Sequence, residues 1–317
     1  MLVCFGLPIA AVLGAAAIVA HFDRSDGTMI SSGEEREYLL HVPSSYDGGR
    51  PAPLVISFHG GATWPAQQAN LSGWNRLADE HGFLVVYPAG DPELPILGIP
   101  RIWPVERAAG LAKDVRFVDD LIDRLEARYA IDPERIYANG MSQGGAMAFA
   151  LSCALPERIA AVGTVAAAHA LPFEACADSR PVPLIAFHGT ADPIVPIDGG
   201  RLGDPFNPVK PVYPSVRSFT ASWARRNGCE PDPVVSRFAP EVDRVEYAEC
   251  AEDATVVLYV VRGAGHVWPG GKPLPKWRVG PPSDRIHATS TTWDFFRSHP
   301  RRQPRPGPAP DPAATRH

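Results

Sequence analysis

A serine hydroxyl is a weak nucleophile until a base takes its proton, and the base serves best when an acid holds its tautomer. Three side chains of this chain have the types, order and local setting for that division of labour. Ser142 stands in Gly140-Met141-Ser142-Gln143-Gly144, between the β-like stretch Arg135–Asn139 and a run of small residues suited to a helix. G-x-S-x-G at a strand-to-helix junction is the pattern that presents a serine on a sharp, strained turn at the carboxyl edge of a sheet. Side chains at 140 and 144 would collide with the neighbouring strand and helix, so glycine there lets the turn close and Ser142 project into solvent.

In this arrangement the acid and then the histidine follow the serine along the chain. Asp192 comes directly after the apolar run Pro183–Gly189, and His266 sits in the glycine-rich loop after Thr255–Val261, so both belong at the same sheet edge as Ser142. Asp198 is the nearest competitor for the acid, and Asp192 is preferred because it follows the strand directly. His59 and His188 lie in strand-end His-Gly turns and read as structural, while His287 opens the last helix. The oxyanion of an acyl-transfer intermediate needs amide donors. Gln143, at the start of a helix, offers one, and Gly61 or Ala62 of Ser57–Trp64 offers the other, since Gly60 and Gly61 let the backbone come close to a ligand.

These residues need a scaffold, and the apolar pattern supplies one. Arg36–Pro43, Pro53–Gly60, Phe83–Pro88, Arg135–Asn139, Ala160–Ala166, Pro183–Gly189, Arg244–Ala248 and Thr255–Val261 read as strands. Helical stretches over about 67–80, 142–155, 215–228 and 287–299 come between them. In the segment after Asp114, Val118, Leu121, Ile122, Leu125 and Tyr129 form one stripe of a crossover helix, with Asp114 expected as its cap. Strands alternating with helices specify an α/β protein with a mostly parallel central sheet and helices on both faces.

With 317 residues, 45% of them hydrophobic, the chain can bury a large core. Its net charge of −5, with the signs interspersed, implies neither nucleic acid nor an anionic membrane as partner. The uncharged segment Leu2–Ala20 reads as a signal peptide, with an N-terminal membrane anchor as the alternative, and 21–33 as a linker. The catalytic domain is expected over 34–299, and the Pro-rich tail 300–317 as disordered. Beyond Cys4, the four cysteines suit an oxidising compartment. Of their three possible connectivities, neighbour pairing of Cys153 with Cys176 and of Cys229 with Cys250 is expected, each bridge contributing about 3 kcal/mol. No Cys/His cluster has zinc spacing, so no metal is indicated.

The stretches VISFHGGATW, GMSQGGAM, FHGTADPIVP, NGC at 227–229 and GAGHVWPGG together resemble the secreted α/β-hydrolase esterases grouped as polyhydroxybutyrate depolymerases and feruloyl or acetylxylan esterases. The resemblance covers about residues 34–298. It implies the α/β-hydrolase fold, a Ser142–Asp192–His266 triad, no cofactor, an extracytoplasmic location and an ester as substrate. It also implies that Val115, Phe117 and Trp268 line an acyl pocket, core packing being the alternative for all three. Polymer-degrading members commonly add a separate substrate-binding domain, which the sequence after residue 300 does not provide. Asp91–Gly110 reads as a lid-like loop containing Trp103, suited to a hydrophobic or aromatic acyl group. A serine acyltransferase, a serine peptidase of the same fold and a non-catalytic surface-binding protein are the other classes the pattern admits.

Overall fold

The computed structural model describes residues 21–22, 24–94, 99–167, 176, 179–201 and 212–301, with side chains left out at 93, 94, 99 and 100. The expected export segment at 2–20 and nearly all of the expected tail lie outside the described residues. Among the described residues no helix is long and apolar enough to cross a membrane.

The strands are β1 (Gly27–Ser31), β2 (Glu34–His41), β3 (Ala52–Phe58), β4 (Leu84–Pro88), β5 (Asp91–Leu94), β6 (Ile99–Ile102), β7 (Ile131–Met141), β8 (Ala161–Val165), β9 (Leu184–Gly189), β10 (Gly200–Arg201), β11 (Val212–Tyr213), β12 (Val234–Ala239), β13 (Val242–Tyr247) and β14 (Val256–Val261). The helices are α1 (Pro65–Ser72), α2 (Trp74–His81), α3 (Ala108–Glu126), α4 (Gln143–Ala154), α5 (Val216–Arg226), α6 (Lys276–Val279) and α7 (Ala288–Ser298). Ten of these strands form one sheet in the order β1-β2-β4-β3-β7-β8-β9-β14-β13-β12. Its centre, from β4 through β3, β7, β8 and β9 to β14, is parallel, and both flanks are antiparallel.

Side chains that alternate along a strand point to opposite faces, and here both faces are covered. Leu54, Ile56 and Phe58 of β3 join a core with Phe117, Leu121 and Trp223, whereas Val55 joins a second core with Trp74, Trp293 and Phe296. β14 divides in the same way, Leu258 and Val260 to the first core, Val257 and Tyr259 to the second. A mostly parallel sheet between two helical layers is therefore the observed fold.

Several elements depart from the sequence reading. Asp114 does not cap α3: the helix starts at Ala108, and Asp114 lies inside it, fully buried. The run Ala108-Ala109-Gly110-Leu111-Ala112-Lys113 carries no breaker strong enough to stop it, and Gly110 lets the helix pass Pro104, whose ring a Cβ would approach to 2.6 Å. Of the expected lid-like loop at 91–110, residues 95–98 lie outside the described residues, 91–94 and 99–102 form the antiparallel pair β5–β6, and 108–110 begin α3. The expected helix at 67–80 is two helices, parted by Gly73 in a left-handed conformation (φ 71°). Part of the expected linker is the edge strand β1, which pairs with β2 throughout its length. β12 also escaped the sequence reading, because its mostly exposed residues lack the apolar alternation of a buried strand.

Two disulfides form, Cys153–Cys176 and Cys229–Cys250.

Candidate active site

The register of the parallel strands aligns their carboxyl ends. Met141 lies opposite Val165, Val165 opposite Phe187, and Phe187 opposite Tyr259. Backbone bonds continue the alignment past the strands: Ser142 N donates to Val165 O at 2.8 Å, Ala166 N to Phe187 O at 2.9 Å and Thr190 N to Val261 O at 3.0 Å. Ser142, Asp192 and His266 each lie one to five residues beyond such an end, so a single rim carries all three.

Ser142 takes φ 54° and ψ −121°, a backbone conformation that costs an L-residue of order 1–3 kcal/mol and persists only where its surroundings enforce it. They do so here through the two glycines. A Cβ on Gly140 would lie 2.4 Å from the Gly144 backbone, and one on Gly144 would lie 2.4 Å from Phe58 O, so helix and strand press the turn from both sides. Ser142 is half-buried. Its Oγ makes no hydrogen bond among the described residues, to the His266 ring or otherwise. Catalytic contacts of this kind are commonly long in the absence of substrate.

Asp192 and His266 are joined. His266 Nδ1 lies 2.8 Å from Asp192 Oδ2, with the carboxylate fully buried and the imidazole 7% exposed. An ionised carboxylate can only accept, so Nδ1 carries the proton and Nε2 presents its lone pair. The other carboxylate oxygen, Oδ1, accepts from the amides of Ile194 and Val195, each at 2.8 Å. His266 is itself held by its backbone, its N donating to Val279 O at 2.6 Å while Gly265 N donates to Pro281 O at 2.8 Å. The segment from α6 to Pro281 thus latches the histidine loop, an anchor no sequence motif announced.

The candidate oxyanion donors separate. Gln143 N is the first amide of α4, where no intrahelical acceptor exists. Ala62 N is already used, donating to Arg101 O at 3.0 Å, whereas Gly61 N has no backbone acceptor among the described residues. The loop bearing Gly61 lies against the elbow: a Cβ on Gly60 would be 3.7 Å from Ser142 Cβ. Gln143 contributes its side chain too, Oε1 accepting from Trp103 N at 2.8 Å, which ties the β5–β6 segment to the elbow.

Of the pocket residues expected from the sequence, Trp103 is fully buried, its Nε1 donating to His59 O at 3.0 Å and its ring packing on Phe58 and His59. Phe117 is fully buried beneath the Arg36 guanidinium, 4.2 Å from its ring centre, and Val115 packs against the same core. Trp268 is buried in the other core, with Nε1 bonded to Thr289 Oγ1 at 2.8 Å. Trp103, Phe117 and Trp268 are buried in packing contacts, and Val115 is half-buried. Asp198 makes no hydrogen bond to a histidine among the described residues, and His287 stands at the N-cap position of α7 without a side-chain capping bond.

A buried ion pair was not foreseen, and His59 has the structural role that its strand-end turn suggested. Arg36 bonds Asp114 Oδ1 at 2.7 Å. Burial raises the Asp114 carboxyl to about 6, the charge of Arg36 opposing it. His59 donates from Nδ1 to Gly60 O at 2.8 Å and accepts at Nε2 from Gly90 N at 3.0 Å. Burial pushes this imidazole down to about 4, and the nearby Arg101 charge pushes the same way.

Comparison with known proteins gives the family and the fold. The model of the esterase PHB depolymerase family matches residues 37–200. The chain belongs to that family, and with it to the carboxylic ester hydrolases. Among its relatives, feruloyl esterase B of Piromyces equi is 29% identical over 75% of this chain and 44% of its own length. Feruloyl esterase D of Neurospora crassa is 27% identical over 84% of this chain and 82% of its own. The chain thus spans less than half of the first relative and most of the second. Among solved structures, the acetyl xylan esterase of Aspergillus awamori superposes with a TM-score of 0.54 at 15% identity, covering 82% of this chain and 93% of that one. A ferulic acid esterase from Anaeromyces mucronatus does so with a TM-score of 0.51 at 17% identity, covering 78% and 86%. At such identities these two establish the α/β-hydrolase fold.

Proposed function

We propose that this esterase works through Ser142 as nucleophile, His266 as general base and Asp192 as the acid that orients the base. The observation that carries the reading is the buried 2.8 Å contact between His266 Nδ1 and Asp192 Oδ2 at the rim where the strained Ser142 turn ends. In this reading the Ser142 hydroxyl gives its proton to the lone pair on Nε2 of His266 once substrate is bound. His266 takes the proton as Oγ attacks the ester carbonyl, and Asp192 stabilises the imidazolium that forms. The amides of Gln143 and Gly61 receive the developing oxyanion. Collapse of the tetrahedral intermediate transfers the proton from His266 to the leaving alcohol and leaves an acyl-enzyme. Water activated by the same imidazole then releases the acid.

The substrates we assign are feruloyl or acetyl esters, or hydroxyalkanoate oligomers, which the names of the relatives and of the family support. The two disulfides support an extracytoplasmic setting. Substituting Ser142 by Ala should leave the fold intact and lower kcat on p-nitrophenyl acetate by about 10⁵-fold, the scale expected when a catalytic nucleophile is removed. Turnover near that of the wild type would refute the assignment. Relative kcat/KM across p-nitrophenyl acetate, methyl ferulate and hydroxybutyrate oligomers then ranks the acyl groups.

A further inference from the structure

His188 occupies the penultimate position of β9 and is almost fully buried. Its Nε2 lies 2.9 Å from Val195 O and 3.6 Å from Asp192 Oδ2. A carbonyl oxygen can only accept, so Nε2 must carry a proton and donate it to Val195. Val195 in turn donates its own amide to Asp192 Oδ1 at 2.8 Å, and Asp192 Oδ2 accepts from His266 Nδ1 at 2.8 Å. These contacts therefore link the end of β9, through the carbonyl and the amide of Val195 and both oxygens of the carboxylate, to the candidate base.

We infer that His188 is the positioning residue of the acid loop, acting on the reaction only through Asp192. This rests on the triad reading above. Without the His188 donor, Val195 O would be left without its buried partner and the loop 192–195 would lose the bond that ties it back to β9. The Val195 amide, one of the two that orient Oδ1, would then be free to drift. A carboxylate displaced by a few tenths of an ångström no longer lines up with Nδ1, and catalysis is sensitive to errors of that size. Burial lowers the basicity of His188, with the Asp192 charge opposing it, so the ring stays the neutral donor that this network requires. The charge of Asp192 is then left to His266, the one imidazole within hydrogen-bonding distance of Oδ2.

The test combines three substitutions. His188→Phe keeps a ring of similar shape and removes the donor, and should lower kcat on p-nitrophenyl acetate by about 10- to 100-fold with KM changed less than about twofold, the signature of a group that acts on the chemical step. His188→Gln, whose amide N–H reaches a similar distance, should recover most of that loss. In an Asp192→Asn background His188→Phe should cost less than about twofold more, because residues acting through one path are not additive. Should the Phe variant fail to fold by circular dichroism, His188→Asn, whose shorter amide withdraws the donor from Val195 O, carries the same expectations. A folded Phe or Asn variant with kcat within twofold of wild type overturns the inference. So does a loss that multiplies in full with that of Asp192→Asn. Wild-type turnover by Ser142→Ala, measured alongside, would instead remove the triad reading and the inference with it.

Discussion

The tripeptide Phe-His-Gly marks the ends of two parallel strands of this sheet: Phe58 is the last residue of β3, with His59 and Gly60 just beyond it, and Phe187-His188-Gly189 are the last three residues of β9. Both histidines are buried and neutral, and burial lowers the proton affinity of both. Their partners differ. His59 spends both nitrogens on backbone, Gly60 O and Gly90 N, and so fastens the loop that carries the candidate oxyanion amide of Gly61. His188 spends one on Val195 O and stands beside the Asp192 carboxylate, so its influence falls on the acid and base. The glycines differ as well. A Cβ on Gly60 would meet only ordinary contacts, the nearest being Met141 O at 3.6 Å, whereas one on Gly189 would strike Ala264 O at 2.2 Å and Gly265 O at 2.6 Å. Identical local sequences thus serve two halves of one site, and what each does is set by the loop that folds over it.

The glycines give the largest contrast. Gly189→Ala should destabilise the protein by about 3 kcal/mol, the upper part of the range for overpacking, and lower kcat as the loop before His266 is displaced. Gly60→Ala should cost within about 1 kcal/mol, seen as a Tm shift of a few degrees at most. Equal losses at the two positions would break the comparison.

His59 itself comes next. Its folded-state value of about 4 lies below the ordinary 6.5, so the unfolded chain binds the proton first as the pH falls. The stabilisation is fully present above pH 6.5 and is lost as the pH drops through the window to about 4, up to about 3 kcal/mol in all. Asp114 acts in the opposite sense, since its value is raised to about 6: the folded state binds its proton first, and stability from this group declines as the pH rises from 3.8 to 6. The diagnostic is therefore a difference. His59→Phe should cost about 2 kcal/mol at pH 7.5, chiefly from the unpartnered Gly90 amide, since Gly60 O keeps its bond from Thr63 Oγ1 at 2.6 Å, and less at pH 4.5 because the wild type has by then lost the stabilisation tied to a neutral His59. A penalty that does not shrink toward acid would contradict the assigned protonation of His59.

The smallest effect is expected at Trp103. Its indole N–H caps the carbonyl of His59, and Trp103→Phe should cost about 1 kcal/mol with kcat reduced only slightly. A strong change in acyl selectivity across the ester panel would instead restore the pocket role that its sequence position suggested.

The parallel core and the elbow were legible because their physics is local. Runs such as Val256–Val261, and Leu54–Phe58 with Ser57 as its one polar residue, read as strands covered on both faces. Gly140 and Gly144 around Ser142 are demanded by contacts within one strand-turn-helix unit. The order of Ser142, Asp192 and His266 along the chain, each after an apolar run, was enough to bring them to one rim. The antiparallel edges were harder to see, since β12 is exposed along its length and shows no alternation. Asp114 illustrates the limit for helices: its type suits a cap, yet its burial beside Arg36, 78 positions away, decides where it sits.

Composition, periodicity and motif order determined on their own that this is an α/β chain with a serine poised at a sheet edge and four cysteines suited to bridges, because each depends on residues near one another in sequence. Which amide beside the elbow is free, which histidine meets the carboxylate and which merely braces it were decided by tertiary structure alone. Hydrogen bonds act over about 3 Å, and only the folded chain brings His188 to Val195, Val195 to Asp192 and Asp192 to His266 within that distance.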